Sequence, residues 1–417
     1  MNRTCSLRAA LPALALITSF ARVAPAEDVT PTEVAAVPAA TAPPPPAPAA
    51  APAEPALGKL TLGGYVEAFY AYNFNRPSNG ITNFRGFDNR HNSFTLANAA
   101  VDAQWEKSNV SGRVTLQIGH TPNTYYLAEP SSPGAGGAAS ADAATWKYLQ
   151  QAYVGYKLPN VGKGLLLQAG LFTSPIGVEV VPIKDNWNWS RSNLFFALPF
   201  YHSGARATQT LTDTWSVTGA IYNGWNSVVD NNNPKSVSAQ LQYTDSERLL
   251  FSALYFGGIE RNKSSPEGKP WRHDFDAWAQ VKVVDPLWLG VHGNAGFENT
   301  RFGTSYWAAG ALYGRVRLLS WLHVAGRGDY FKESVGENVS GRASPIFWPA
   351  DWVASATGTL DLHPGENISV RVEYRHDAAE NVMFFGRGVA GDGSVSSPFQ
   401  PNAKTQDTVT LGATTWL

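Results

Sequence analysis

The side chains of this sequence that could perform acid–base or metal chemistry are its eight histidines and the carboxylates near them. A hydrolytic site would need a nucleophile, a base and an orienting group close together. No histidine lies in a Gly-x-Ser-x-Gly turn, and all are scattered along the chain, at His91, His120, His202, His273, His292, His323, His363 and His376. His273 with Asp274 and Asp276 is the nearest approach to a cluster, a weak metal pattern that fits a solvated strand end better. We therefore expect no catalytic residue, no metal site and no cofactor.

A second set of chemically capable side chains lies between residues 173 and 203, where strand alternation is lost. This segment carries four charged residues, Glu179, Lys184, Asp185 and Arg191. It also contains Trp187, Trp189 and Tyr201, whose rings could stack on a sugar. Connections of this length inside a compact protein are usually functional. What these side chains can do depends on the elements that hold the segment.

The elements around this segment are predicted from period-2 alternation of apolar and polar residues, which dominates from Leu60 onward. We predict 16 strands, at 60–73, 93–105, 110–120, 146–158, 164–172, 204–211, 214–223, 236–244, 248–257, 272–283, 287–298, 305–318, 321–331, 351–362, 367–376 and 406–417. Short connections alternate with mostly longer ones, which is typical of bacterial outer-membrane barrels. An even strand number would place both ends of the barrel segment on the short-turn, periplasmic side.

One face of nearly every predicted strand lacks charge, as in the series Val66, Ala68, Tyr70 and the series Leu287, Leu289, Val291. The opposite face carries charged and amide side chains, among them Asp102, Arg113, Gln117, Lys157, Asp276, Lys282, Arg317, Arg327, Asp329 and Arg371. An arginine or lysine at the middle of a bilayer would cost about 2–4 kcal/mol. The uncharged face is therefore expected to contact lipid.

Aromatic residues concentrate at both ends of the uncharged face. The predicted long-loop ends hold Tyr70, Tyr72, Tyr148, Phe297, Tyr306, Tyr330, Trp352 and Tyr374, and the short-turn ends hold Trp105, Tyr156, Trp215 and Tyr243. Amphipathic rings prefer the headgroup level of a bilayer. Two aromatic girdles indicate a transmembrane cylinder rather than a soluble sandwich.

Composition agrees with a barrel and excludes several other classes. Charged residues make up 16% of the chain, against about 25% in ordinary soluble domains. No stretch after residue 26 approaches the roughly 18 apolar residues of a spanning helix. The single cysteine, Cys5, lies in a predicted export signal, so a disulfide framework is excluded. A net charge of −1 does not indicate a protein that binds nucleic acid.

The chain divides into three predicted regions. Residues 1–26 have basic Arg3 and Arg8, an apolar run and Ala24-Pro25-Ala26, which indicate a removable signal peptide. Residues 27–58 are rich in alanine and proline and predict a disordered, extended periplasmic spacer. Residues 59–417 form the predicted transmembrane antiparallel up-and-down β-barrel, an all-β fold of about 16 strands.

Two local motifs resemble a known family. The segment Gly170-Leu171-Phe172-Thr173-Ser174-Pro175-Ile176-Gly177-Val178-Glu179 is similar to a Gly-x-Phe/Tyr-x-Pro-x-Gly-x-Glu turn, and Tyr201-His202-Ser203-Gly204-Ala205-Arg206 follows it. Both resemble the OmpL-like family of Gram-negative β-barrel porins, and the terminal strand Thr408–Leu417 resembles the signal read by the barrel-assembly machinery. The resemblance implies a pore-forming protein, exported through the periplasm to the bacterial outer membrane. It does not identify a solute.

A barrel of about 16 strands is wide enough for an aqueous channel. The segment after the fifth strand resembles the inward-folded loop of 16-stranded porins, and strands 12–15 would lie opposite. We expect a constriction from Glu179, Asp185 and Arg191 on the loop and from arginines on that wall, Arg315, Arg317, Arg327, Arg371 and Arg375. Opposed charges would create a transverse field that tunes ion preference. Alternatively, these arginines pair with Asp329, Asp361 and Glu373 and merely line a wide lumen.

The favoured function is a passive diffusion channel for small hydrophilic solutes and ions, with weak selectivity. A sugar-selective channel or surface-binding barrel, using Trp187, Trp189 and Tyr201, is the alternative, and an outer-membrane enzyme is the least favoured. Expected partners are outer-membrane lipid, small hydrophilic solutes and, during biogenesis, the barrel-assembly machinery. A homotrimer is one possible assembly, but no interface that would decide the oligomeric state is evident in the sequence. No nucleic-acid partner is expected.

Overall fold

The computed structural model describes residues 58–129, 142–230, 232–245 and 248–417. The predicted signal peptide lies outside the described residues, as does the predicted spacer apart from Gly58. Within the described part, 16 antiparallel strands close into one barrel in sequence order, and the first pairs with the last.

The barrel strands are numbered here in chain order. They are β1 (Lys59–Asn73), β2 (Ser93–Lys107), β3 (Val110–Ile118), β4 (Leu149–Leu158), β5 (Leu165–Thr173), β6 (Tyr201–Thr210), β7 (Trp215–Tyr222), β8 (Ser236–Asp245), β9 (Leu249–Ile259), β10 (Trp271–Val284), β11 (Leu287–Thr300), β12 (Gly303–Leu319), β13 (Leu322–Ser334), β14 (Trp352–Gly365), β15 (Ile368–Ala379) and β16 (Thr405–Trp416). The connections add three short helices, α1 (Thr121–Tyr125), α2 (Ala143–Trp146) and α3 (Asn193–Phe196), a 3₁₀ turn at Ile183–Asp185 and a ladder between Glu337–Asn338 and Gly341–Arg342. Among the described residues, no helix has the length and apolar character needed to cross a bilayer.

The 16 predicted strands are confirmed, and the differences lie at their ends. Strand β6 begins at Tyr201 rather than at residue 204, because Tyr201 still pairs with Thr173 of β5. The predicted loop at 299–304 shrinks to a two-residue turn, because Thr300 pairs with Gly303 and extends β11 and β12. Gly303 has a φ of 117°, a backbone conformation that glycine adopts at little cost.

The two predicted faces of the strands are also present. Outward-facing Val101, Leu312 and Leu411 are exposed, at 62%, 68% and 49%. Inward-facing Arg327 and Asp329 are buried on β13. The β1–β2 pairing shifts its register at Glu67/Ala68, where β2 contains one extra residue between Leu96 and Asn98. The outer surface of the barrel is therefore largely apolar, and most charged residues of the strands face inward.

Outward-facing aromatic rings lie near the ends of the strands. Near the long-loop end, Tyr330 of β13 stacks on Trp352 of β14 with ring centroids 6.2 Å apart. Near the short-turn end, Trp215 packs against Tyr243 with centroids 4.9 Å apart. This distribution matches the predicted girdles at the two membrane interfaces.

The wall of the barrel is uneven in height. Strands β4 to β8 have 8 to 10 residues each. Strands β10 to β13 have 13 to 17 residues each. Buried apolar side chains gather where long connections pack onto inward-facing residues, as Ile183 and Trp189 do against Phe69, Ala71 and Ala97.

Candidate functional site

The connection between β5 and β6, residues 174–200, leaves the barrel wall through a hydrogen-bonded base and is called the 174–200 loop. The Ser174 amide donates to the Phe200 carbonyl at 2.9 Å and closes the two ends of the loop. The Ser174 hydroxyl accepts from the Ile176 amide at 3.2 Å. Gly177 follows with a φ of 89°, and a Cβ there would lie 2.8 Å from Leu198 Cδ1. The turn therefore requires glycine for both conformation and space.

Backbone amides of the 174–200 loop bind carboxylates on inward faces of four different strands. The pairs are Gly177 with Asp276 of β10 (3.0 Å), Ile183 with Glu67 of β1 (2.5 Å), Trp189 and Ser190 with Glu373 of β15 (2.6 and 2.9 Å) and Asn193 with Asp329 of β13 (3.0 Å). Hydrogen bonds to an ionised acceptor are roughly twice as strong as neutral ones. The inward carboxylates therefore fix the course of the loop.

Three of the predicted wall arginines also bind the 174–200 loop. Arg371 donates to the carbonyls of Ile183 (3.0 Å) and Asn188 (3.1 Å). Arg375 donates to the Arg191 carbonyl and to the Asn193 side chain. Arg327 donates to the Ser190 carbonyl at 2.6 Å and to Glu179 at 2.9 Å. All three side chains are buried, which makes them anchors of the loop.

Two of the predicted loop charges are held within the protein. The Glu179 carboxylate accepts from the amide and hydroxyl of Ser192, from Arg327 and from the Tyr313 hydroxyl. Arg191 turns back on its own loop and donates to the carbonyls of Val180, Val181 and Trp189. The guanidinium of Arg191 also lies 5.3 Å from the Phe87 ring centroid.

The other predicted constriction residues lie apart from this network. Asp185 pairs with Lys184 at 2.8 Å, and its side chain is 49% exposed. Arg315 contacts Asp361 at 3.4 Å near the short-turn end of β12. Arg317 is half-exposed there and pairs with Asp285 at 3.5 Å. The five wall arginines therefore divide into three that hold the loop and two that lie nearer the short turns.

The three aromatic residues that could stack on a sugar already have protein neighbours. Trp187 meets Tyr313 edge-on with centroids 6.4 Å apart. Trp189 is 1% exposed and packs on Phe69, while Tyr201 is fully buried. The Tyr201 hydroxyl donates to Glu129 at 2.7 Å. Both Trp189 and Tyr201 thus contribute to packing, and neither presents a free ring face.

A cavity of about 630 Å³ lies between the 174–200 loop and the wall formed by β1 to β4. Its charged lining consists of Asp102 with Arg113 on the wall (2.8 Å), Asp185 with Lys184 on the loop, and Glu179, which pairs with Arg327 outside the cavity. Further lining comes from Tyr65, Gln151 and the backbone near Leu417 at the short-turn end. The cavity therefore has a mixed polar and apolar lining with nearly balanced charge.

The cavity is bounded toward the long loops by an aromatic cluster, called here the aromatic cap. It consists of Phe87, Tyr125, Tyr126, Phe195, Phe196, Phe200 and Tyr201. Phe195 and Phe200 stack with centroids 5.2 Å apart and also line the cavity. Tyr125 donates to the Phe200 carbonyl at 3.2 Å.

The sequence reasoning missed Glu67 as an anchor of the loop. Its position between Tyr65 and Phe69 on the inward face of β1 was a usable signal, because a buried carboxylate needs donors. It also missed the contact between His202 Nε2 and Ser174 Oγ at 3.2 Å. His202 is fully buried, stacks on Tyr222 and contacts the Gly224 carbonyl through Nδ1, so this pair supports the fold.

Comparisons with known proteins agree with this architecture. Residues 59–415 match the model of the family described as "Putative beta-barrel porin-2, OmpL-like". A search of curated proteins found no match.

Three solved structures share the fold at low identity. OmpT of Vibrio cholerae, in a structure described as its trimer form, is 11% identical, with 86% of this chain and 99% of that chain covered and a TM-score of 0.54. The anion-selective porin from Comamonas acidovorans is 10% identical, with 86% and 100% covered and a TM-score of 0.54. The channel DcaP of Acinetobacter baumannii is 11% identical, with 87% and 99% covered and a TM-score of 0.53.

Proposed function

The chain belongs to the OmpL-like β-barrel porin-2 family of the bacterial outer membrane, and from this premise we propose that it is a passive diffusion channel for small hydrophilic solutes and ions. The proposal includes a narrow point formed by the 174–200 loop. It assigns the chain no enzymatic activity.

The observation that carries the proposal is the way the 174–200 loop is held. Its backbone reaches carboxylates of β1, β10, β13 and β15, so the loop spans the barrel instead of lying along one wall. The 630 Å³ cavity beside it is lined by charged and amide side chains such as Asp102, Arg113 and Gln151, together with apolar ones such as Ile176 and Phe200. A polar passage beside a fixed loop admits small solutes and excludes large ones, because side chains lining the pore set its width.

Weak ion selectivity follows from the charges that line the cavity. The Asp102–Arg113 pair and the Lys184–Asp185 pair each sum to zero formal charge. The buried anchors Glu179 and Arg327 neutralise each other in the same way. A passage with balanced charge exerts little net attraction on either sign of ion.

Single-channel recording on the purified, refolded full chain tests this proposal. Discrete conductance steps are expected in a planar bilayer. Neutral polymers of increasing size should stop reducing the conductance above a small cut-off size, and a salt gradient should give a reversal potential close to zero. A folded barrel that produces no conductance steps would contradict the proposal.

We also propose that the porin assembles as a homotrimer through its low wall, β4 to β8. The outer face there carries small residues, including Ala169, Ala205 and Gly219, and forms a groove of about 690 Å³. A second copy could approach such a face closely. Native mass spectrometry should find trimers for the wild type and for Ala295→Trp on the outer face of β11, and monomers for Ala205→Trp. Monomers of the wild type would overturn this assembly.

A further inference from the structure

Two histidines and an aspartate meet near the short-turn end of the barrel. His323 lies at the second residue of β13 and pairs in register with Asp361 of β14. His363 follows two residues later, so it projects from the same face as Asp361. One ligand atom from each of the three side chains lies within 4.8 Å of the others.

Two imidazole nitrogens of this group lack a hydrogen bond of normal geometry to any residue that the structure describes. His323 Nδ1 is buried and has no hydrogen-bond partner. His363 Nε2 lies 3.1 Å from Asp361 Oδ2, yet it too makes no hydrogen bond. The two rings meet edge to face with centroids 4.9 Å apart. Buried polar atoms are normally hydrogen-bonded, so two unsatisfied nitrogens beside one carboxylate point to a missing partner.

We propose that His323, Asp361 and His363 bind one divalent transition-metal ion, with Zn²⁺ as the best-fitting probe. Two imidazoles and one carboxylate form a common zinc ligand set, which leaves a fourth position for water. In a tetrahedral zinc site, bonds of about 2.0–2.2 Å place neighbouring ligand atoms roughly 3.3–3.5 Å apart. The 3.1 Å between Asp361 and His363 already approaches this spacing.

The surroundings of Asp361 support one oxygen as the ligand. Its Oδ1 accepts from the Ser369 hydroxyl at 2.5 Å and lies 3.3 Å from Arg371 Nε. Its Oδ2 faces His363. Partners behind a ligand fix its orientation and strengthen metal binding. Ser369 and Arg371 therefore hold the carboxylate while Oδ2 points at the histidines.

Arg315 opposes the metal in this arrangement. Its guanidinium lies 3.4 Å from Asp361 Oδ2 and would have to move aside, and its side chain is 26% exposed. Arg317, half-exposed on the same strand, adds a second positive charge. Replacing Arg315 with glutamine should therefore tighten metal binding. If Asp361 were not a ligand, the same substitution would not strengthen binding.

Titration of the full chain in detergent, without a histidine tag, tests the site. Co²⁺ serves as the chromophoric probe, and Zn²⁺ competes for the same site. The wild type should bind one ion per chain with saturation. The His323→Gln and His363→Gln variants should each bind the metal at least about tenfold more weakly, because even the loss of a residue behind a ligand typically weakens metal binding by that factor. The Arg315→Gln variant should bind it more tightly.

His376→Gln provides the matched control. His376 also pairs with an aspartate, since its Nδ1 lies 2.8 Å from Asp407, but no third histidine, cysteine or carboxylate of the described residues joins this pair. Binding should be unchanged in this variant. The heat-dependent gel shift of a folded barrel verifies that each variant is native. An absence of saturable binding by the wild type, or equal binding by the His323→Gln/His363→Gln double variant, would overturn the site.

Discussion

At the scale of residues, the interior of this barrel shows how buried charges can be satisfied without a large apolar core. Glu373 accepts from two consecutive amides of the 174–200 loop, and Arg371 donates to two of its carbonyls. Burying an unpaired charge is very costly. The inward charges and the loop backbone therefore require each other, and a change at one anchor should disturb the loop.

Glu179→Gln should loosen the loop, because Glu179 joins Ser192, Tyr313 and Arg327 in one network. The variant keeps the shape of the side chain but removes the charge facing buried Arg327. We expect a loss of about 1–3 kcal/mol in the free energy of unfolding, the usual cost of leaving a buried polar group mismatched. Single-channel conductance should also become noisier.

Asp185→Asn is the control for that change. Asp185 lies on the same loop but is half-exposed, and its ion pair within the described part of the chain is with Lys184. Its replacement should alter stability by no more than about 0.5 kcal/mol, as for most surface changes. Urea unfolding followed by tryptophan fluorescence measures both variants. Equal effects at the two positions would contradict an anchoring role for Glu179.

At the scale of elements, alternation along the strands predicted the barrel, because a chain between lipid and water must place apolar and polar residues on opposite faces. The same rule could not predict the connections. The helix α3, the 3₁₀ turn at 183–185 and the inward course of Trp189 depend on partners more than a hundred residues away, such as Glu67 and Glu373. The sequence therefore shows which charged residues the loop and the wall carry, but it does not show which partners they contact.

Gly412 on β16 illustrates how a strand makes room for the 174–200 loop. A Cβ at Gly412 would lie 2.3 Å from Trp189 Cε3, so Gly412→Ala should displace the indole. Overpacking of this kind costs about 1–3 kcal/mol. Gly358→Ala on β14 is the matched control, because a Cβ there would lie more than 4 Å from every atom of the described residues outside its own chain neighbours. Comparing their urea midpoints tests the contact, which equal midpoints would disprove.

The aromatic cap should limit conductance. Phe200→Ala removes a ring that stacks on Phe195 and borders the cavity, so the passage toward the long loops should widen. We expect a larger single-channel conductance and a larger polymer cut-off. Phe275→Ala, on the outward face of β10, should leave both unchanged. A Phe200→Ala conductance equal to that of the wild type would place the narrow point elsewhere.

The connection between β9 and β10 should respond to acid. Although burial raises the pKa of Glu267, hydrogen bonds from Ser265 and Ser344 lower it to about 2, from an ordinary value of 4.5. A depressed carboxyl pKa stabilises the fold above the unfolded value, and this stability is lost as pH falls. Because glutamine cannot titrate, the Glu267→Gln variant should have a lower urea midpoint than the wild type at pH 7. This difference between the two proteins should shrink as the pH falls from about 4.5 to 2. A deficit independent of pH would contradict this account.

At the scale of the whole molecule, ion preference should depend on the sum of charges around the cavity rather than on any one residue. Asp102 and Arg113 face each other across neighbouring strands and both line the cavity. Because the wild-type lining is nearly balanced, removing either charge should produce a net field of one sign. Arg113→Gln should shift the reversal potential toward cation preference, and Asp102→Asn should shift it toward anion preference. Lowering the salt concentration should enlarge both shifts, because screening weakens. Shifts of the same sign in the two variants would mean that a region outside this cavity sets the selectivity.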